Sequence, residues 1–267
     1  MREIAIVASR DNERTNAIET IDAIKRAGFQ NIFLQWYNAE WKVSQEEQLR
    51  YAREKGLNVI FAHLGYKNIN ELWHEGEVGD QLTKGFKKDI KVCKENNIPM
   101  VIIHLTSKMT ALPYGEVGLK RIQEIVDYAE ELGIQVAFEN NRMKGYLDYV
   151  IENVDNENAG ICFDAGHYHA FFHDDFDFSK FKDRIIAVHL HDNDESDDQH
   201  LIPFDGTNDW DKIIQNLVDC HYEGPITMEQ SYRGQYLEEG IDHFYQKSYE
   251  VGKRLVKMME DASRNRK

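Results

Sequence analysis

The sequence predicts a (β/α)8 TIM barrel formed by one domain spanning residues 1–267, and three observations carry that reading. The chain has 267 residues, about the size of one such barrel and enough to bury a core without disulfides. Charged amphipathic segments ending at Gly or Asn pass at once into short, nearly all-apolar runs. Eight such runs occur, and no Pro/Gly/Ser-rich linker divides them into halves.

Four of the junctions are clearest: RAG-FQNIFLQ around Gly28, EKG-LNVIFAH around Gly56, ENN-IPMVIIH around Asn97 and ELG-IQVAFE around Gly133. Gly and Asn tolerate the left-handed backbone that closes a helix, so each is expected as a helix cap. Upstream of Gly133, Leu119, Ile122, Ile125, Val126 and Ala129 recur at three- and four-residue spacing between Glu116 and Leu132. Charges fill the positions between them, the pattern of a helix with one buried face.

Apolar runs without alternation are strands buried on both faces, which means a parallel sheet covered by helices. The expected strands are Glu3–Ala8, Asn31–Gln35, Asn58–His63, Met100–His104, Gln135–Glu139, Gly160–Asp164, Ile185–His189 and Pro225–Glu229. Eight such units favour closure into a barrel over an open doubly wound sheet.

Composition narrows the function classes. A net charge of -15 and a pI near 5.2 give no attraction to a polyanion as a whole, so nucleic acid is not expected as a partner. Cys93, Cys162 and Cys220 are far apart and form no C-x-x-C pair, which indicates neither a disulfide framework nor a thiolate zinc site. No apolar stretch approaches the ~20 residues of a membrane helix, and MREIAIVASR has no secretory pattern. A cytoplasmic protein without membrane association is the expectation.

The chemistry lies in how the strands end. Strands three to eight finish with His63, His104, Glu139, Asp164, His189 and Glu229, each the first polar group after an apolar run. In a barrel all C-terminal strand ends meet at one rim, so these distant positions converge. A lone strand-end His or Glu is usually hydrogen-bonded or solvated; six in succession point to a shared site. Three carboxylates at one mouth would repel and raise one another's pKa unless a cation neutralised them. The set implies one divalent metal ion. Carboxylates with an imidazole form a fairly hard donor set, suited to Mn2+, Mg2+, Co2+ or Zn2+.

At these residues the sequence resembles the xylose isomerase-like TIM-barrel superfamily, in its sugar phosphate isomerase/epimerase branch, related to endonuclease IV. The resemblance spans the whole chain. Its most specific pieces are AFEN with Glu139, FDAGH with Asp164 and His167, HLHDND with His189, the pair Asp198 and His200, and TMEQ with Glu229. It implies Glu139, Asp164, His189 and Glu229 as the four ligands of one catalytic metal. His63, His104, His167 and His200 would then line the pocket and bind substrate hydroxyls. His191, two residues after His189 on the same side of an extended strand, is the ambiguous member.

The mechanism implied by the resemblance is proton removal next to a carbonyl, through an enediolate, with Glu139 and Glu229 as catalytic acid and base. Exchange across the two faces of the intermediate gives epimerisation, and transfer between adjacent carbons gives aldose–ketose isomerisation. A small carbohydrate is the implied substrate. Trp36 is a candidate to stack on an apolar sugar face, and Arg233 and Arg142 to pair with a substrate anion. The usual barrel phosphate site lies after strands seven and eight, where this chain reads DNDESDD, which disfavours a phosphorylated substrate there.

Two alternatives accompany this reading. An endonuclease IV-like abasic-site nuclease uses a trinuclear zinc site, and all nine of its ligand positions have matches: the four ligands above with His63, His104, His167, Asp198 and His200. Asp198 and His200 are accordingly candidates for an additional metal. An inosose-type dehydratase would use the same metal and base to expel a hydroxyl. One departure is local: where many relatives read Pro-Gly-x-Gly, this chain has Pro203-Phe204-Asp205-Gly206. No phosphate loop, dinucleotide fingerprint, nucleophile elbow or H-E-x-x-H helix is present.

Overall fold

The computed structural model describes residues 2–8, 16–36, 43–172 and 175–265. The apolar runs form eight strands: β1 (Ile4–Ala8), β2 (Asn31–Trp36), β3 (Asn58–Leu64), β4 (Met100–Ile103), β5 (Gln135–Glu139), β6 (Ala159–Asp164), β7 (Ile185–His189) and β8 (Ile226–Met228). They pair in parallel in the order β7-β6-β5-β4-β3-β2-β1-β8. Leu190 closes the seam between β7 and β8. Its N–H donates to Thr227 O at 2.9 Å, and its carbonyl accepts from Glu229 N at 3.3 Å. The hydroxyl of Thr227 donates to the Val188 carbonyl across the same seam. The sheet therefore closes on itself, and the fold is a TIM barrel. Two ladders stop short of the expected ends, so His104 and Glu229 sit one residue past the last paired residues of β4 and β8.

Helices α1 (Ala17–Ala27), α2 (Gln45–Glu54), α3 (Glu77–Glu95), α4 (Glu116–Glu131) and α5 (Tyr146–Asn153) alternate with the first strands. After β6 come the single turn α6 (Ala165–His167), then α7 (Trp210–Asp219), α8 (Tyr236–Glu239) and α9 (Ile241–Asn265). All four expected caps take the left-handed backbone, with φ of 106° at Gly28, 69° at Gly56, 52° at Asn97 and 66° at Gly133. The apolar stripe of α4 is its buried face: Ile122, Ile125, Val126 and Ala129 are fully enclosed, and Leu119 packs against the same core. Each large aliphatic side chain buried this way contributes about 1.5–3 kcal/mol.

The packing of α4 also fixes part of the rim. A β-carbon on Gly118 would fall 2.2 Å from Trp73 Cε3, so only glycine lets α4 approach that indole. Trp73 Nε1 in turn donates to Leu105 O at 2.8 Å, tying the segment after His104 to the scaffold. The long connection after β7 is organised by Asp192, whose carboxylate accepts from Phe204 N at 2.8 Å, Asn208 N at 3.0 Å and Trp210 Nε1 at 2.8 Å. Phe204, where relatives were expected to have glycine, holds a left-handed φ of 75°. That conformation costs a side chain roughly 1–2 kcal/mol. The Arg254 guanidinium lies 3.5 Å from the Phe204 ring centre and Trp210 packs on it, contacts that offset the strain.

Candidate active site

Glu139, the last residue of β5, stands at the centre of the mouth and is fully buried. Its Oε1 lies 2.9 Å from His167 Nδ1 and 3.3 Å from His104 Nε2, and its Oε2 lies 3.1 Å from His189 Nδ1 and 3.3 Å from His63 Nε2. His189 is the second hub. Its Nδ1 faces three carboxylates, Glu139 Oε2 at 3.1 Å, Glu229 Oε2 at 3.3 Å and Asp164 Oδ2 at 3.8 Å. The four residues expected as ligands of one ion thus share one point of the rim. The His189 ring stacks on Phe33 below it, with centroids 5.1 Å apart, which fixes its plane.

A second knot adjoins the first. Asp198 Oδ2 lies 3.1 Å from His167 Nε2 and 3.4 Å from His200 Nε2. His167 therefore bridges the two knots, one ring nitrogen on Glu139 and the other on Asp198. His191 Nε2 lies 3.1 Å from Asp164 Oδ2, and its ring stacks on His200 with centroids 4.0 Å apart.

Burial alone would raise the Glu139 carboxyl, but the imidazoles of His104, His167 and His189 outweigh it and hold it well below the usual carboxylate range. Asp164 is likewise pushed up by burial and held down by His167 and His191. Burial pulls His104 below its ordinary value against the attraction of Glu139, so it meets that carboxylate as a neutral N–H donor. His167 and His189 go the other way: Asp164 and Asp198 beside His167, and Cys162 and Glu229 beside His189, outweigh burial and hold both well above the ordinary range. His200, beside Asp198, is raised to about 9.

Several triads have donor atoms within 4.8 Å of one another and offer places for a metal ion, among them His63–His104–Glu139, Glu139–Asp164–His167, His63–His189–Glu229 and His191–Asp198–His200. Asp198 Oδ1 is buried and has no hydrogen-bond partner among the described residues, leaving a lone pair for a cation.

The remaining expected residues are placed differently. Trp36 ends β2 and is buried with the apolar core. Arg233 Nη1 donates to Gln199 O at 2.8 Å and braces the loop that carries Asp198 and His200. Arg142 lies 3.7 Å and 3.8 Å from Asp197 and Asp198 and covers the Phe171 ring.

Sequence reasoning passed over several supports. Asn140 clasps the backbone of Asp164, donating to its carbonyl at 2.9 Å and accepting from its N–H at 2.7 Å. Asn141 Oδ1 accepts from Leu105 N at 2.7 Å while its Nδ2 donates to Glu139 Oε1 at 3.3 Å. The signal was the pair of amides directly after Glu139, in a position where the chain leaves the sheet. Tyr66, three residues after His63, stacks on His104 at 4.3 Å.

The sequence model for the xylose isomerase-like TIM barrel matches residues 21–247. The chain belongs to that family. The uncharacterized protein y4fM of Sinorhizobium fredii is 24% identical over 281 aligned residues, covering 91% of this chain and 89% of that protein. Among solved structures, a D-tagatose 3-epimerase-like protein superposes with a TM-score of 0.74 at 20% identity, covering 98% of this chain and 99% of that one. The IolI protein, solved with a bound zinc atom, gives a TM-score of 0.74 at 14% identity over 98% and 99% of the two chains. At these identities the superpositions establish the shared barrel. No helix among the described residues is long and apolar enough to cross a membrane.

Proposed function

We propose that the protein is a divalent-metal-dependent sugar isomerase or epimerase that removes a proton beside a carbonyl and passes through an enediolate. The observation that carries this reading is the convergence of Glu139 and Glu229, from β5 and from just past β8, on His189 Nδ1 at 3.1 Å and 3.3 Å. The epimerase-like fold neighbour and the zinc in IolI support it.

Glu139, Asp164, His189 and Glu229 would hold the ion, and the unpartnered Asp198 Oδ1 and the interlocked carboxylates and imidazoles fit a cation. When bound, it supplies a Lewis acid that polarises the substrate carbonyl. Glu229 touches fewer imidazoles than Glu139 and is the freer base to take the first proton. Glu139 returns a proton received through His167, whose Nδ1 lies 2.9 Å from its Oε1. His63, His104, His167 and His200 line the pocket for substrate hydroxyls, while Trp36 is buried in the core and Arg233 braces the Gln199 carbonyl. The substrate is a small carbohydrate and the setting cytoplasmic.

Turnover in D2O tests the proposal. With a panel of ketoses and keto-inositols, at least one compound gains deuterium at the carbon beside its carbonyl, in a metal-dependent reaction. An inverted centre identifies an epimerase, a moved carbonyl an isomerase, and loss of water the dehydratase alternative. No exchange in any compound defeats the reading.

One observation favours a second reading. His63, His104, His167, Asp198 and His200 adjoin the four ligands without a gap, matching the donor set of a trinuclear abasic-site nuclease. Cleavage of abasic-site DNA with no carbohydrate exchange would select it.

A further inference from the structure

We infer that the mouth contains an oxyanion subsite, formed by the segments after β4 and β5, that holds a phosphate or carboxylate carried by a small substrate. The inference rests on the carbohydrate reading above. A cavity of about 220 Å³ opens beside the carboxylate cage, and His104, His167 and Asp198 form the wall it shares with that cage. Thr106, Lys108 and Arg142 also line it. Asp198, the last residue of the acidic loop after β7, is the one carboxylate among these lining residues.

Three features make it a built site. Thr106 is 1% exposed, and its Oγ1 has no hydrogen-bond partner among the described residues, so a residue of the cavity lining keeps a buried hydroxyl with its donor unspent. Lys108 is held in the left-handed region at φ 59°, and the loop around it is pinned by Asn70, which accepts from Ser107 N at 2.7 Å and donates to Ser107 O at 2.9 Å. The ammonium is thus presented from a fixed backbone. Arg142 lies over the Phe171 ring, 4.8 Å from its centre, which fixes the guanidinium plane.

The acids nearby leave these cations available. Among the described residues Arg142 pairs with Asp197 and Asp198 at 3.7 Å and 3.8 Å, beyond hydrogen-bond distance, so its bidentate donors are spent on neither carboxylate. Asp198 Oδ2, the oxygen nearest Arg142, is already held by His167 Nε2 at 3.1 Å and His200 Nε2 at 3.4 Å. Two cations and one unspent hydroxyl lining a small cavity match an oxyanion, because the one carboxylate of the lining, Asp198, is already engaged by two imidazoles. Because His104 and His167 touch both the cavity and Glu139, one short molecule spans the oxyanion subsite and the proposed reaction centre.

The test is calorimetric titration of the full-length, chelator-treated protein with inorganic phosphate and, separately, acetate, at low salt. Removing metal keeps the anions off any bound ion. Saturable binding of at least one anion is expected, weakened tenfold or more in Lys108→Ala, Arg142→Ala and Thr106→Val, and unchanged in the control Lys247→Ala on α9. The preferred anion tells phosphate from carboxylate. Failure of both anions to bind, or binding that the three variants leave intact, overturns the inference. Deuterium exchange is read separately: exchange without anion binding sinks the subsite alone, and anion binding without exchange sinks the proposed reaction alone.

Discussion

Asn141 ties Glu139 to the end of the neighbouring strand, donating to its Oε1 at 3.3 Å while accepting from Leu105 N at 2.7 Å and Thr106 N at 3.2 Å. One amide thus sets both the rotamer of the central carboxylate and the path of the segment after β4. Asn141→Ala leaves two buried N–H groups unsatisfied, a cost of about 1–3 kcal/mol each at most. The expected outcome is a lower urea midpoint together with a 10–100-fold loss of activity or metal affinity, the usual range for groups that orient ligands. Unchanged metal affinity would reduce Asn141 to a loop brace.

Glu139→Gln and Glu229→Gln nearly preserve shape while each removes a charge and a basic oxygen. Both variants are expected to fold, by circular dichroism. Each should lose several orders of magnitude in D2O exchange on the substrate, because the reaction needs both carboxylates. Persistent exchange in either variant removes that residue from the proposed chemistry.

Elemental analysis of the purified protein should find about one tightly held divalent ion per chain, the count for four ligands around His189 Nδ1. Three zinc ions per chain would instead populate the Asp198 and His63 sides of the cage and favour the nuclease reading. No metal at any added concentration sinks the site.

Stability of the metal-free protein should depend on pH in a direction set by the imidazoles. His200 rises from 6.5 to about 9 in the fold, and His167 and His189 are also raised, so their stabilisation is complete below 6.5 and is lost as pH climbs through the folded values. Glu139 and Asp164 are lowered, so theirs is present above the ordinary carboxylate range and lost only in strong acid. As pH climbs through these imidazole values the carboxylates lose the imidazolium charges that compensate them. Added Mn2+ then replaces the lost protons, whereas at pH 6 it must displace them. The increase in Tm on adding Mn2+ should therefore be larger at pH 9 than at pH 6; an increment independent of pH contradicts the titration described for the cage.

Much of this was legible in the chain itself. The four caps were readable because Gly and Asn are the residues that tolerate positive φ, and Gly28, Gly56, Asn97 and Gly133 all adopt it. The rim residues were readable because a parallel strand is apolar until it leaves the barrel, so Glu139 or His189 stands out against what precedes it. Less was visible where tertiary contact decides the role. His191 looks like a spare histidine in HLHDND, and only the fold brings its Nε2 to 3.1 Å from Asp164. Arg233 reads as a substrate clamp, yet its guanidinium reaches Gln199 O, because nothing local says which way a loop side chain turns. Thr106 and Lys108 lie in an unpatterned loop, and their cavity arises from two strand ends that meet only in space.

Gly166, in FDAGH, supplies the sharpest test of how the second knot is held. A β-carbon there would lie 1.9 Å from His191 Cε1 and 2.3 Å from its Nδ1, far inside contact distance, and the ring has little room to retreat because His200 stacks on it at 4.0 Å. Asn193 Nδ2 also donates to the Gly166 carbonyl at 2.8 Å, so the backbone is not free to move aside. Gly166→Ala must therefore displace His191 from Asp164, leaving a buried carboxylate with fewer partners. Overpacking of this kind costs about 1–3 kcal/mol. The expected outcome is a lower urea midpoint and weaker binding of Mn2+ in a chelator competition. In the double variant Gly166→Ala with His191→Ala, the clash is removed and the midpoint should recover relative to Gly166→Ala alone. If the double variant is no more stable than the single one, the strain lies elsewhere than against His191, and this account of the glycine fails.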